Sequence, residues 1–222
     1  MAADGGNGYR WIGKRTIRPD GVDKVTGRAN FGADFALPDM LVGRVVRSPH
    51  PHARIVSIDT SKAEALAGVK AIVTAADFPE ITPEKATFGS SPPNYRDMSR
   101  NLMARGKVLY DGHVLAAVAA TDTAAAMAAI EAIVVEYEIL PHVTDVVAAM
   151  QPDAPLLHDD IFTAGVDPKP TIPSNVAKRV GFTLGDIDAG FAQADVIVER
   201  EFRTEGIHQA YIEPHAVVAS AA

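Results

Sequence analysis

Hydrophobic and polar positions fall into two regular blocks separated by a proline-rich interval. Residues 41–47 form a short apolar run of strand length. Ser48-Pro49-His50-Pro51 then forces a turn, and residues 54–59 alternate Ile55 and Ile58 with polar or smaller neighbours, which predicts a second strand. Ser61-Lys62-Ala63-Glu64 has the spacing of a capping box, in which a hydroxyl and a carboxylate satisfy backbone donors at a helix start, and Gly68 offers the stop. Val69–Thr74 reads as the strand that follows. From 78 to 105, Pro79, Pro83, Pro92 and Pro93 stand too close together for a helix or central strand, so this interval reads as a long loop. The pattern resumes with a strand at Val114–Ala120, a helix over 124–132 capped by Asp122 or Thr123, and a β-branched strand over 133–138. Two strand–helix–strand units predict one α/β layer whose helices cover a sheet.

Outside these blocks the pattern is weaker. Residues 1–15 are Gly-rich and read as flexible, and Pro19-Asp20-Gly21 and Gly27 mark turns in an ordered lead-in. Pro152, Pro155, Pro168, Pro170 and Pro173 make 143–174 a wrapping linker. Beyond it, 175–182 predicts a strand and 185–192 a short helix, where Asp186 and Asp188 favour the N-terminus rather than bind metal. A long strand is expected over 195–203, with Val196, Val198 and Phe202 on one face. A last apolar run, 210–219, is interrupted by Glu213-Pro214-His215.

Composition narrows the function classes. The chain has 222 residues, 47% hydrophobic and 22% charged, enough for one or two domains with a proper core. A net charge of −7 without a block of one sign argues against a nucleic-acid partner. With no cysteine, the chain holds no disulfide, thiolate zinc site or iron–sulfur cluster of its own. Its apolar runs fall short of the roughly 18 residues a membrane span needs. The start has no apolar signal-peptide core, and the reading is a cytoplasmic protein.

Few residues suggest chemistry by themselves. His50 and His52 could be two metal ligands, but the pair lacks its remaining ligands, and a turn role is the alternative. No metal residue is assigned. Gly112 suits a tight turn, or a backbone approach to a ligand or partner domain, and the adjacent His113 shares that ambiguity. Glu213 either borders a pocket or, ahead of Pro214, sets local geometry.

Taken together, Gly27-Arg28-Ala29 with Phe31 and Asp34, the run 41–59, Gly68-Val69 with Ala75-Ala76-Asp77, the run 108–120, and Glu136-Tyr137-Glu138-Ile139-Leu140-Pro141 resemble a known arrangement. Gly185-Asp186, Gly190-Phe191, Ala194-Asp195, Val198-Glu199, Phe202 and the run 208–213 extend it. The chain resembles the N-terminal portion of the molybdopterin-binding large subunit of the xanthine dehydrogenase and aldehyde oxidase family. The resemblance implies an α/β (α+β) fold, with an α/β-hammerhead domain at 16–142, a linker at 143–174 and the start of a molybdopterin-binding domain at 175–222. It implies molybdenum-dependent hydroxylation of an aldehyde or N-heterocycle, with electrons passing to [2Fe–2S] clusters and FAD on partner subunits or domains. The expected catalytic glutamate and glycine-rich loop have no counterpart here, so no catalytic residue is assigned and no cofactor is expected on this chain alone. Gly112, His113, Gln209 and Glu213 are the cofactor-binding candidates. Some family members place a glutamine beside the metal, six residues before the glutamate matched by Glu213; here that position is Ile207, with Gln209 two residues later.

Three readings follow. The chain is the N-terminal part or split subunit of a molybdenum hydroxylase, inactive alone and partnered by the remaining molybdopterin domains, an iron–sulfur subunit and an FAD subunit, with a homodimer left open. Alternatively it is a non-catalytic subunit-association module of such a complex. The third, a hydrolase centred on His50 and His52, finds neither a nucleophile elbow nor an HExxH helix.

Overall fold

The computed structural model describes residues 11–82 and 94–220; Pro83, Pro92, Pro93 and residues 1–10 of the expected flexible start lie outside them. In chain order the elements are α1 (Gly21–Val25), β1 (Val42–Arg47), β2 (Ala53–Asp59), α2 (Ser61–Glu64) and β3 (Val69–Thr74). They continue as α3 (Tyr95–Leu102), β4 (Lys107–Val108), β5 (Val114–Ala120), α4 (Thr123–Ala132), β6 (Val134–Ile139), α5 (Val146–Ala149) and α6 (Ile187–Gln193). Short 3₁₀ turns occupy Gly32–Asp34 and Ala75–Asp77.

The single helix-covered sheet expected from the pattern is instead two three-stranded antiparallel sheets, ordered β1-β5-β3 and β4-β2-β6. Each strand–helix–strand unit sends its two strands to different sheets. β3 pairs with β5 in the register Ile72↔Val118, and β2 pairs with β6 in the register Ile58↔Val135. The connection from β2 to β3, residues 60–68, is shorter than the roughly dozen residues a parallel crossover needs. Strand β1 covers the other edge of β5, in the register Val45↔Ala117.

Side-chain size explains the packing. Ala116 and Val118 of β5 meet Ala63 of α2 and Ala129 and Ile133 at the end of α4 in one buried cluster. Leu115, on the opposite face of β5, joins Ala53, Ala104 and Val108 in a second. Val46, Ile58 and Val135 pack against both clusters, so the two cores are continuous. Helix α4 starts where Asp122 Oδ1 accepts the Ala125 N–H at 2.9 Å, one of the two caps foreseen. The expected Ser61 cap is replaced: Ser61 is the first helical residue, Thr60 Oγ1 donates to Glu64 at 2.6 Å, and Asp59 accepts both the N–H and the hydroxyl of Ser61. Gly68 then turns the chain with φ 89; a Cβ there would stand 2.7 Å from Thr121 Oγ1.

Other expectations are corrected. The interval read as loop contains α3, whose first turn is capped by Asn94 Oδ1 accepting from Arg96 and Asp97 N–H. The Pro19-Asp20-Gly21 turn leads into α1, where Asp20 pairs with Arg18 at 2.6 Å and Lys24 at 2.8 Å. Segments 175–182 and 195–203 are not strands: only the isolated bridge Ala164↔Lys178 forms, and Val196, Val198 and Phe202 remain exposed. A strand requires a neighbour for its N–H and C=O groups, and among the described residues none lies alongside 195–203. The helix expected over 185–192 forms as α6, capped by Asp186.

Contacts divide the chain into a larger unit, Asp39–Val198, and a smaller one combining residues up to Pro38 with those from Glu199 onward. In the larger unit the segment after β6 is fastened to the sheets. Arg100 donates to both carboxylate oxygens of Asp160 at 3.0 and 2.9 Å, and Lys107 pairs with Asp159 at 3.0 Å. Asn175 accepts the Leu157 N–H and donates to the Ala149 and Pro155 carbonyls, each at 3.0 Å. Arg105 donates to the Ala75 and Phe78 carbonyls and ties the turn after β3 to the residues before β4.

Leu115→Ala is expected to cost about 2–5 kcal/mol by opening a cavity between the two sheets, and Asp122→Ala about 1 kcal/mol by removing the α4 cap. Urea unfolding of the two variants measures both, and equal losses would contradict this ranking.

Candidate functional site

Three chain segments converge beyond the strands: the β1–β2 turn, the β4–β5 turn and the residues after β6. Gly112 has φ 82, which its lack of a Cβ permits, and a Cβ there would meet nothing within 4 Å. Conformation, rather than close approach, requires the glycine. Its N–H donates to the Ser48 carbonyl at 2.8 Å, and its own carbonyl accepts from the Arg47 guanidinium at 2.8 Å. Ser48 N–H donates to the His113 carbonyl at 2.9 Å, so the first two turns are locked together reciprocally.

His113 is fully buried. The Leu109 N–H donates to its Nδ1 at 3.2 Å, which places the ring hydrogen on Nε2, and Tyr110 stacks on the ring with centroids 4.3 Å apart. Nε2 makes no hydrogen bond of normal geometry. Burial lowers the His113 pKa from its usual value more than the nearby Arg100 carbonyl raises it, which favours a neutral ring.

His50 and His52 separate into different jobs. The His50 N–H donates to Ser48 Oγ at 3.0 Å, and its ring stands edge-on to Tyr137 at a centroid distance of 4.9 Å. Burial raises the Tyr137 pKa, and the Ser48 hydroxyl partly offsets this. His52, 5% exposed, donates from Nδ1 to the Pro141 carbonyl at 2.7 Å and fastens the β1–β2 turn to the end of β6. Among the described residues no three His, Cys, Asp or Glu side chains stand together as a metal site. The histidines hold the turn.

Gln209 and Glu213 lie in the smaller unit, on an exposed segment without helix or strand. Beside Gln209, Ala210 adopts the left-handed φ of 53 and donates its N–H to His208 Nδ1 at 3.0 Å. Tyr211 stacks on His215 with centroids 4.4 Å apart. Gly112 and His113 are thus neighbours in one unit, and Gln209 and Glu213 belong to the other. Sequence reasoning missed the Arg100–Asp160 and Asn175 fastenings. The helix that carries Arg100 had a local signal in the Asn94-to-Asp97 capping spacing, which lay beside the prolines, while the Asn175 bonds join residues 18 to 26 positions apart.

The family model described as "aldehyde oxidase and xanthine dehydrogenase, a/b hammerhead domain" matches residues 26–141, more than half of the chain, and the molybdopterin cofactor-binding domain model matches 169–222. The chain belongs to the aldehyde oxidase and xanthine dehydrogenase family. It is similar to the nicotinate dehydrogenase large molybdopterin subunit of Eubacterium barkeri, at 35% identity over 96% of this chain and 45% of that protein. It is 37% identical to the carbon monoxide dehydrogenase large chain of Afipia carboxidovorans, over 94% of this chain and 25% of that one. Among solved structures, a Cu,Mo-CO dehydrogenase in its carbon monoxide reduced state matches with a TM-score of 0.61 and 35% identity, over 83% of this chain and 23% of that chain. The chain therefore spans less than half the length of these relatives. It combines a hammerhead domain with the start of a molybdopterin-binding domain. No helix among the described residues is long and apolar enough to cross a membrane.

The family implies a molybdopterin cofactor. Among the described residues, the candidate donors do not by themselves fit one: Gln209 and Glu213 offer a single amide and a single carboxylate on an exposed segment, and both backbone groups of Gly112 are already bonded.

The depressed His113 pKa has a stability consequence. Below the usual histidine value of 6.5 the unfolded chain takes up a proton that the folded chain resists, so this contribution is complete above that pH and is lost as pH falls through the folded value. His113→Phe is expected to flatten the acid limb of a stability-versus-pH curve. It should also cost about 1–3 kcal/mol at pH 7.5 by stranding the Leu109 N–H. An unchanged acid limb in the variant would contradict the assignment.

Proposed function

We propose that this chain serves as the N-terminal part, or a split subunit, of a molybdenum hydroxylase that oxidises an aldehyde or N-heterocycle and passes electrons to iron–sulfur and FAD partners. The succession of a hammerhead match at 26–141 and a cofactor-domain match at 169–222 carries this reading. The chain is inactive alone, because the remaining cofactor-domain residues and the base that the reaction needs are supplied by further sequence or another subunit. Its organisation in the complete enzyme is a hammerhead at 16–142, a linker at 143–174 and the first part of the cofactor domain at 175–222. Gln209 and Glu213 are its candidates for reaching the cofactor, since their side chains are exposed. Gly112 and His113 contribute by fixing the β4–β5 turn, and the assembled complex works in the cytoplasm.

Turnover with an artificial electron acceptor tests this reading. The isolated chain is expected to oxidise neither benzaldehyde nor an N-heterocycle and to retain no molybdenum. The same chain with the missing large-subunit domains and partner subunits restored should retain molybdenum and turn over. Activity in the isolated chain would overturn the reading. A restored complex that assembles without molybdenum would favour the association module instead.

A further inference from the structure

A cavity of about 440 Å³ lies in the larger unit, between the turn after β3 and the C-terminal end of α3. Its volume falls in the range of small-molecule sites, about 300–1,000 Å³. Phe78, Ile81, Leu102 and Met103 give it apolar walls, and Arg100 and Arg105 stand in the same lining. Phe78 is 51% exposed and Leu102 71%, so the folded chain leaves much of this apolar lining in contact with water. An occupant that covers it gains the free energy of burying apolar surface.

The two guanidiniums differ in what they have left to give. Arg100 is neutralised by Asp160, whose two carboxylate oxygens accept from its Nη1. Arg105 is anchored in the cavity wall because its Nη2 donates to the carbonyls of Ala75 and Phe78, and both of those residues also line the cavity. These acceptors fix the guanidinium without cancelling its charge. Asp159 and Asp160, which share a neighbouring cavity with Arg105, are paired instead with Lys107 and with Arg96 and Arg100. Among the described residues no carboxylate lines the 440 Å³ cavity, and no hydrogen bond engages Arg105 Nε or Nη1. Arg105 is itself exposed, so a head group entering from solvent can reach it. We propose that this cavity binds a small amphipathic monocarboxylate, its apolar tail against Phe78, Ile81, Leu102 and Met103 and its carboxylate accepting hydrogen bonds from Arg105. One unpaired cation beside an apolar wall matches one negative charge on an apolar tail, and a hydrogen bond between charged groups is stronger than one between neutral groups. The site is separate from the exposed Gln209–Glu213 segment, and its test involves no turnover, so it stands or falls independently of the molybdenum reading.

Sodium octanoate and 1-octanol make the test, because they share an alkyl tail and differ in the charge of the head. Titrated into the 222-residue chain at pH 7.5 and followed by amide chemical shifts, octanoate is expected to bind saturably with shifts at Ala75, Phe78, Ile81 and Met103. Octanol should bind about tenfold more weakly. Arg105→Gln should remove the difference between the two probes. Leu102→Glu, which changes an exposed position and sets a like charge in the wall, should weaken octanoate more than octanol. Absence of saturable shifts at these residues would overturn the site. Equal affinity of the two probes for the unsubstituted chain would overturn the role of Arg105, whether or not the Arg105→Gln variant folds. A dimer in sedimentation that Leu102→Glu splits and octanoate does not would assign the cavity to a second copy of the chain and overturn the proposal.

Discussion

Strand β5 is the constraint on which the larger unit depends. It is paired on both edges, by β1 and β3, and packed on both faces. Its sequence, VLAAVAA, reconciles these demands. Alanines beneath the helices let α2 and α4 approach through Ala63 and Ala129, while Leu115 fills the space toward the second sheet. A bulkier residue at Ala116 would force the helices away, and a smaller one at Leu115 would leave a cavity between the sheets. The division of each strand–helix–strand unit between two sheets places helices on one face of β5 and the second sheet on the other.

The same economy shapes the converging turns. The turns at Ser48 and Gly112 satisfy each other's backbone groups, and two buried histidines, His52 through its bond to the Pro141 carbonyl and His113 through its bond from the Leu109 N–H, brace them from within. Their chemistry is structural. Membership in the aldehyde oxidase and xanthine dehydrogenase family makes this arrangement intelligible as a platform, followed after residues 142–168 by the match to a cofactor-binding domain.

How far the sequence carried the reading depended on whether each element had its partners nearby. Val69–Thr74 and Val114–Ala120 match their expected bounds because apolar runs between clear turn signals left little choice. The helix at Tyr95–Leu102 was hidden, since flanking prolines outweighed the Asn94 cap and its anchoring through Arg100 to Asp160 spans 60 positions. The alternation over 195–203 was real as a pattern and formed no strand, because pattern alone supplies no hydrogen-bonding neighbour. For the site, Gly112 was identifiable as a turn residue, while the pairing of His52 with Pro141 joins residues 89 positions apart and left no local mark.

The central claim is that β5 and its neighbours form a self-sufficient core, whereas 195–218 has no backbone ladder partner among the described residues. Amide hydrogen exchange on the monomeric chain tests this most directly. The account predicts slow exchange at hydrogen-bonded amides of β5 and fast exchange throughout 195–218. Protection of 195–218 comparable to that of β5 in a proven monomer would contradict it.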